Sequence, residues 1–100
     1  SKRVCAMGEM AVKSGADGLV CSPLELNILR ESLGKNPLLI TPGIRPSKCK
    51  MDDQKRVMNP TDAAKSGSSF IVVGRPILNA MNPHEATLRI REELAQSLNE

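Results

Sequence analysis

Apolar residues fall into two kinds of pattern along this chain. Gly18-Leu19-Val20-Cys21, Leu38-Leu39-Ile40-Thr41 and Phe70-Ile71-Val72-Val73 are short continuous runs. Such runs, rich in β-branched residues and without polar alternation, predict strands covered on both faces, as in a parallel sheet flanked by helices. Elsewhere the apolar positions recur at helical spacing. Val4, Met7, Ala11 and Val12 mark an inward face over residues 3–14. Leu24, Ile28 and Leu29 mark a second such face, and Ala86, Ile90, Leu94 and Leu98 a third.

Local signals bound these helices. Ser22-Pro23-Leu24-Glu25 reads as a capping box with proline at the first helical position, and Gly34 is a natural stop. Residues Thr61 to Gly67 read as a short helix ending at the glycine. Asn82-Pro83-His84-Glu85 offers a cap to the last helix. The order is α-β-α-β-loop-α-β-α, which implies parallel strands joined by right-handed crossovers. Ser14 to Val20 and Lys65 to Gly74 weakly repeat one theme: a helix end, a glycine turn, then a strand.

The fold class is therefore α/β. Three strands do not close a barrel, and both outer strands would be left with open edges. The pattern is that of a partial TIM (β/α)8 barrel, with residues 1–100 forming the C-terminal part of a single barrel domain and roughly five further βα units expected before residue 1. The plain alternative is a small open α/β domain.

Composition narrows the function classes. Net charge is +3, with acidic and basic residues interleaved, which suits a small anion as well as any polyanion. One Phe and no Tyr or Trp argue against stacking platforms for single-stranded nucleic acid. Nucleic-acid partners are not expected, and neither is a membrane, since no run approaches the length of a spanning helix. Cys5, Cys21 and Cys49 are widely spaced and form no CxxC pair, so neither a zinc site nor a disulfide framework is expected. Reduced thiols in a cytoplasmic protein are the simplest reading.

In parallel α/β folds, ligands bind where strands end. The second run is followed by Thr41-Pro42-Gly43-Ile44-Arg45-Pro46 and a long polar loop to Asn59 that carries Lys48, Lys50, Lys55 and Arg56. Loops of this length are often lids, although a solvated surface loop is as ready an explanation. The third run is followed by Gly74-Arg75-Pro76. Gly74 lets backbone approach a ligand, and Arg75 offers a planar fork of donors matched to phosphate oxygens. An arginine after a strand is also a common surface residue. His84, the single histidine, reads as an exposed residue of the last helix.

These segments, taken together, resemble the orotidine 5′-monophosphate decarboxylase family. Asp17-Gly18-Leu19-Val20-Cys21-Ser22, Thr41-Pro42-Gly43-Ile44-Arg45-Pro46, Asp53-Gln54-Lys55-Arg56-Val57-Met58-Asn59-Pro60 and Val72-Val73-Gly74-Arg75-Pro76-Ile77 follow in the order and spacing of its sixth to eighth βα units. The resemblance implies a ribulose-phosphate-binding type of barrel, no cofactor and no metal, orotidine 5′-monophosphate and UMP as ligands, and a cytoplasmic homodimer. It implies that Arg45, Gln54, Gly74 and Arg75 bind the nucleotide phosphate, with Gln54 reaching over the substrate from the loop. The family's catalytic Asp-x-Lys-x-x-Asp constellation is absent: Asp53-Gln54-Lys55-Arg56-Val57-Met58 begins like it but has Met where the second Asp belongs. No catalytic residue is therefore expected in this chain. A non-catalytic nucleotide-phosphate-binding half-barrel, or another phosphate-binding barrel lyase, is the alternative.

Overall fold

A computed structural model describes residues 2–46 and 58–99. Helix α1 spans Lys2–Lys13, strand β1 Gly18–Val20, helix α2 Leu26–Leu33 and strand β2 Leu38–Thr41. Helix α3 (Pro60–Lys65), strand β3 (Phe70–Ile71), the short helix α4 (Arg75–Leu78) and helix α5 (Pro83–Gln96) follow. The three strands form one parallel sheet in the order β1-β2-β3.

The start of each helix has a visible cause. The Ser22 hydroxyl accepts from the Leu24 amide, and the Ser22 amide donates to the Glu25 carboxylate at 2.9 Å, so the expected capping box forms. It opens a 3-10 turn, Pro23–Glu25, that leads into α2. Asn59 caps α3 by accepting from the Asp62 amide, and Asn82 caps α5 by accepting from the Glu85 amide. Each cap satisfies an amide that has no partner inside its helix.

Leu26, Leu29, Leu39 and Cys21 make the main core, with Val4, Leu19, Leu33 and Met58 packed around them. The 3-10 turn changes which residues point inward: Leu26 and Leu29 are buried, whereas Leu24 is exposed, against expectation. In α1 the buried position is Gly8, which fits closely against Leu19, Leu29 and Leu33, while Met7 is exposed. Helix α5 lies against α3, with Ile90 and Ala63 buried and the Thr61 hydroxyl donating to the Glu93 carbonyl at 2.6 Å. Leu98, expected on the inner stripe of α5, is exposed in the 3-10 turn after it.

The expectation that all strands are covered on both faces does not hold. Leu39 and Thr41 on one face are fully buried, yet Val20, Leu38 and Phe70 are exposed. Helices α1 and α2 cover one face, and three strands curl too little to cover the other. Strand β3 is also shorter than its apolar run, because Gly74 and Pro76 turn the chain into α4.

Candidate functional site

Sheet register decides what the strand ends bring together. Ile40 stands opposite Phe70 and Thr41 opposite Ile71. The Val72 amide extends the pairing by donating to the Thr41 carbonyl at 2.9 Å. The segments after Thr41 and Ile71 therefore leave the same end of the sheet side by side. Arg45 follows Thr41 by the same number of residues as Arg75 follows Ile71.

After β2 the chain turns at Gly43, whose φ of +75° lies in the left-handed region that a side chain disfavours. Ile44 is then buried and forms a parallel bridge with Met58, and the Arg45 amide donates to the Met58 carbonyl at 3.0 Å. The backbone of Arg45 is thus held against Met58, and its side chain is half-buried. Gln54, with Lys48, Lys50, Lys55 and Arg56, lies outside the described residues.

After β3, Gly74 caps α4 through its carbonyl, which accepts from the Ile77 and Leu78 amides at 3.0 Å each. Its φ is −112°, and a Cβ placed there would meet no atom within 4 Å. The fold itself therefore does not demand glycine at position 74. Arg75 is exposed in the first turn of α4. Helix α4 was not legible in the sequence; Pro76 near its start is the one signal that could have shown it.

The arginines divide sharply by their partners. Among the described residues, the Arg45 and Arg75 guanidinium groups have no hydrogen-bond partner. The Arg30 guanidinium is fully engaged at the other end of the sheet, donating to the carbonyls of Gly34, Pro37 and Gly67 and to the Ser69 hydroxyl. An open cleft of about 750 Å³ lies beside it, lined by Asn27, Lys35, Lys65 and Ser66 among others. The sequence places Arg30 in a helical stretch and the other two after strand runs, but it does not show which guanidinium is engaged.

Cys21 follows β1 and lies in the core. Burial pushes its thiol above the ordinary value of 9.0; the Thr41 hydroxyl opposes the shift, Glu25 adds to it and Arg30 opposes it. This is a structural thiol, not an activated one. Among the described residues, no group of three or more His, Cys, Asp or Glu could hold a metal ion, and no helix is long and apolar enough to cross a membrane. His84 is exposed.

Residues 2–90 match the family described as orotidine 5′-phosphate decarboxylase / HUMPS. The chain belongs to that family. An orotidine 5′-phosphate decarboxylase of Gluconobacter oxydans is 50% identical over 96 residues, which is 96% of this chain and 41% of that protein. The crystal structure of orotidine 5′-phosphate decarboxylase from Lactobacillus acidophilus superposes with a TM-score of 0.78 at 43% identity, covering 93% of this chain and 37% of that one. The enzyme of the same name from Pyrococcus horikoshii superposes with a TM-score of 0.73 at 29% identity, covering 91% and 41%. The chain thus spans about two-fifths of the length of these decarboxylases, and its three-stranded sheet with flanking helices is part of a (β/α)8 barrel.

Proposed function

We propose that this chain supplies the phosphate-binding part of an orotidine 5′-monophosphate decarboxylase, the enzyme that converts orotidine 5′-monophosphate to UMP and carbon dioxide. The observation that carries this reading is the in-register pairing of Thr41 with Ile71, which sends two arginine-bearing segments out of one end of the sheet. Two guanidinium groups with no hydrogen-bond partner among the described residues and the Gly74 backbone suit a phosphate dianion, with Gln54 contributing as the family resemblance implies. The open space around Gly74 agrees with close approach of a ligand to its backbone.

Phosphate lies remote from the carboxylate that leaves. Binding energy gained there accelerates decarboxylation where it is realised in the transition state. The groups that stabilise the carbanion at C6 and protonate it are assigned to the barrel units that this chain does not span. The reading includes a cytoplasmic homodimer working without metal or organic cofactor, on the strength of the family resemblance.

The test is turnover of orotidine 5′-monophosphate. The 100-residue chain alone is expected to be inactive. A fusion placing the unmatched N-terminal part of the Gluconobacter oxydans decarboxylase before it is expected to be active, and to lose activity when Arg75 becomes Ala. Turnover by the isolated chain, or an active fusion indifferent to Arg75→Ala, would overturn the reading.

A further inference from the structure

Strand β3 consists of Phe70 and Ile71 alone, and two residue pairs set its register against β2. So short a ladder fixes its own alignment weakly. A slip of one residue would exchange the side chains of β3 between the two faces of the sheet. It would also move the segment that carries Arg75 by about 3.3 Å along the segment that carries Arg45. The register therefore calls for a determinant beyond the ladder itself.

Ser68 and Ser69, just before β3, supply one. The Ser69 amide donates to the Leu39 carbonyl at 2.8 Å, and its hydroxyl accepts from the Leu39 amide at 3.0 Å. The Ser68 hydroxyl donates to the Phe70 carbonyl at 2.9 Å and meets the Thr41 hydroxyl at 2.8 Å. With its single proton on the carbonyl, Ser68 is the acceptor for Thr41. Thr41 is fully buried, and the Cys21 thiol after β1 also hydrogen-bonds it. A buried hydroxyl that loses a partner is costly, and a slip of one residue would turn Ser68 away from Thr41. Among the described residues, no buried side-chain polar atom lacks a partner in the observed register.

We infer that the Thr41–Ser68 hydroxyl pair selects the register of β2 and β3 and is thereby a positioning pair for Arg45 and Arg75. Thr41 is buried, and Ser68 precedes β3 whereas Arg75 follows it, so both act through the backbone and not on a ligand. The inference rests on the proposed phosphate-binding role of the two arginines. Valine at position 41 keeps the shape of threonine and removes the hydroxyl. Alanine at position 68 leaves the Thr41 hydroxyl short of a partner, and serine at position 41 keeps the pair.

Two measurements separate register from function. Amide exchange is followed by NMR on the 100-residue chain. In Thr41→Val and in Ser68→Ala, the Val72 amide, which donates to the Thr41 carbonyl, should exchange about tenfold faster. The Cys21 amide, which donates to the Ile40 carbonyl between β1 and β2, should keep its rate, and Thr41→Ser should keep both. If Thr41→Val does not fold, Ser68→Ala, at a half-buried position, carries the test. KM and kcat for orotidine 5′-monophosphate are then measured in the fusion with the Gluconobacter oxydans N-terminal part. Thr41→Val and Ser68→Ala should each raise KM about fivefold or more with kcat within about twofold, and Thr41→Ser should restore KM; a mere loss of folded protein would lower kcat and leave KM unchanged. Unchanged exchange at Val72, equal acceleration at Val72 and Cys21, or no protected amide in the parent chain overturns the inferred register determinant. A fall in kcat without a change in KM overturns the positioning role. An inactive parent fusion counts against the proposed function, and the exchange rates then decide the register by themselves.

Discussion

Arg30 and Gly67 hold each other in place across 37 residues of sequence. The guanidinium donates to the Gly67 carbonyl through Nε at 2.9 Å and Nη2 at 2.7 Å. Gly67 has φ of +106°, and a Cβ there would stand 2.7 Å from Arg30 Cγ. The arginine can lie across this turn only because the residue beneath it is glycine. The same guanidinium reaches Gly34, Pro37 and Ser69, tying the end of α2 to the starts of β2 and β3. It thereby aligns the two strands whose far ends carry Arg45 and Arg75.

Replacing Arg30 with Ala is expected to destabilise the fold by about 1–3 kcal/mol, because it leaves carbonyls without their charged donor. Gly67→Ala should cost about 1–3 kcal/mol through its backbone conformation and the clash. The two should not add: with Arg30 already shortened, Gly67→Ala loses its steric part. Urea denaturation of the single and double variants measures this, and strict additivity would show that the contact is not a coupled one.

Arg45→Ala and Arg75→Ala are expected to behave in the opposite way. Neither side chain has a hydrogen-bond partner among the described residues, so stability should change by less than about 0.5 kcal/mol. If the proposed function holds, each should raise KM for orotidine 5′-monophosphate in the active fusion about 10- to 100-fold, the loss of a charged hydrogen bond. Added phosphite or another phosphate-like dianion should inhibit the variants less than the parent. A large fall in stability with unchanged KM would move these arginines from binding to architecture.

Ser22→Ala removes the hydroxyl that accepts from Leu24. The expected loss is about 1 kcal/mol, with Ser22→Asp retaining most of the stability. Thermal unfolding followed by circular dichroism distinguishes the two variants.

Cys21 makes stability depend on alkaline pH. Its pKa is raised in the folded chain, so the unfolded chain gives up this proton first. The contribution is fully present below the unfolded pKa and is lost as pH rises past about 9 toward the folded value. Stability should therefore fall with rising pH in the parent, and fall less in Cys21→Ala. With iodoacetamide at neutral pH, mass spectrometry should find Cys21 modified more slowly than Cys5, which is only half-buried. Equal rates would mean that the core around Cys21 opens readily.

Apart from the short helix α4, the order of helices and strands was legible in the residues themselves, because strand runs, caps and glycine stops act over a few positions. The Ser22 capping box, the Asn82 cap and the stop at Gly34 all form where local chemistry places them. The types of Arg45, Gly74 and Arg75 and their positions after strand runs already suggested an anion, and their role in binding one belongs to the proposed function. Tertiary structure alone decided the rest, since each remaining feature depends on residues far apart in sequence. A 3-10 turn rotated Leu26 into the core in place of Leu24. Register chose which strand faces were covered, leaving Val20 and Phe70 bare beside a buried Leu39. And that the donors of Arg30 are claimed by carbonyls from other elements was decided only by the fold.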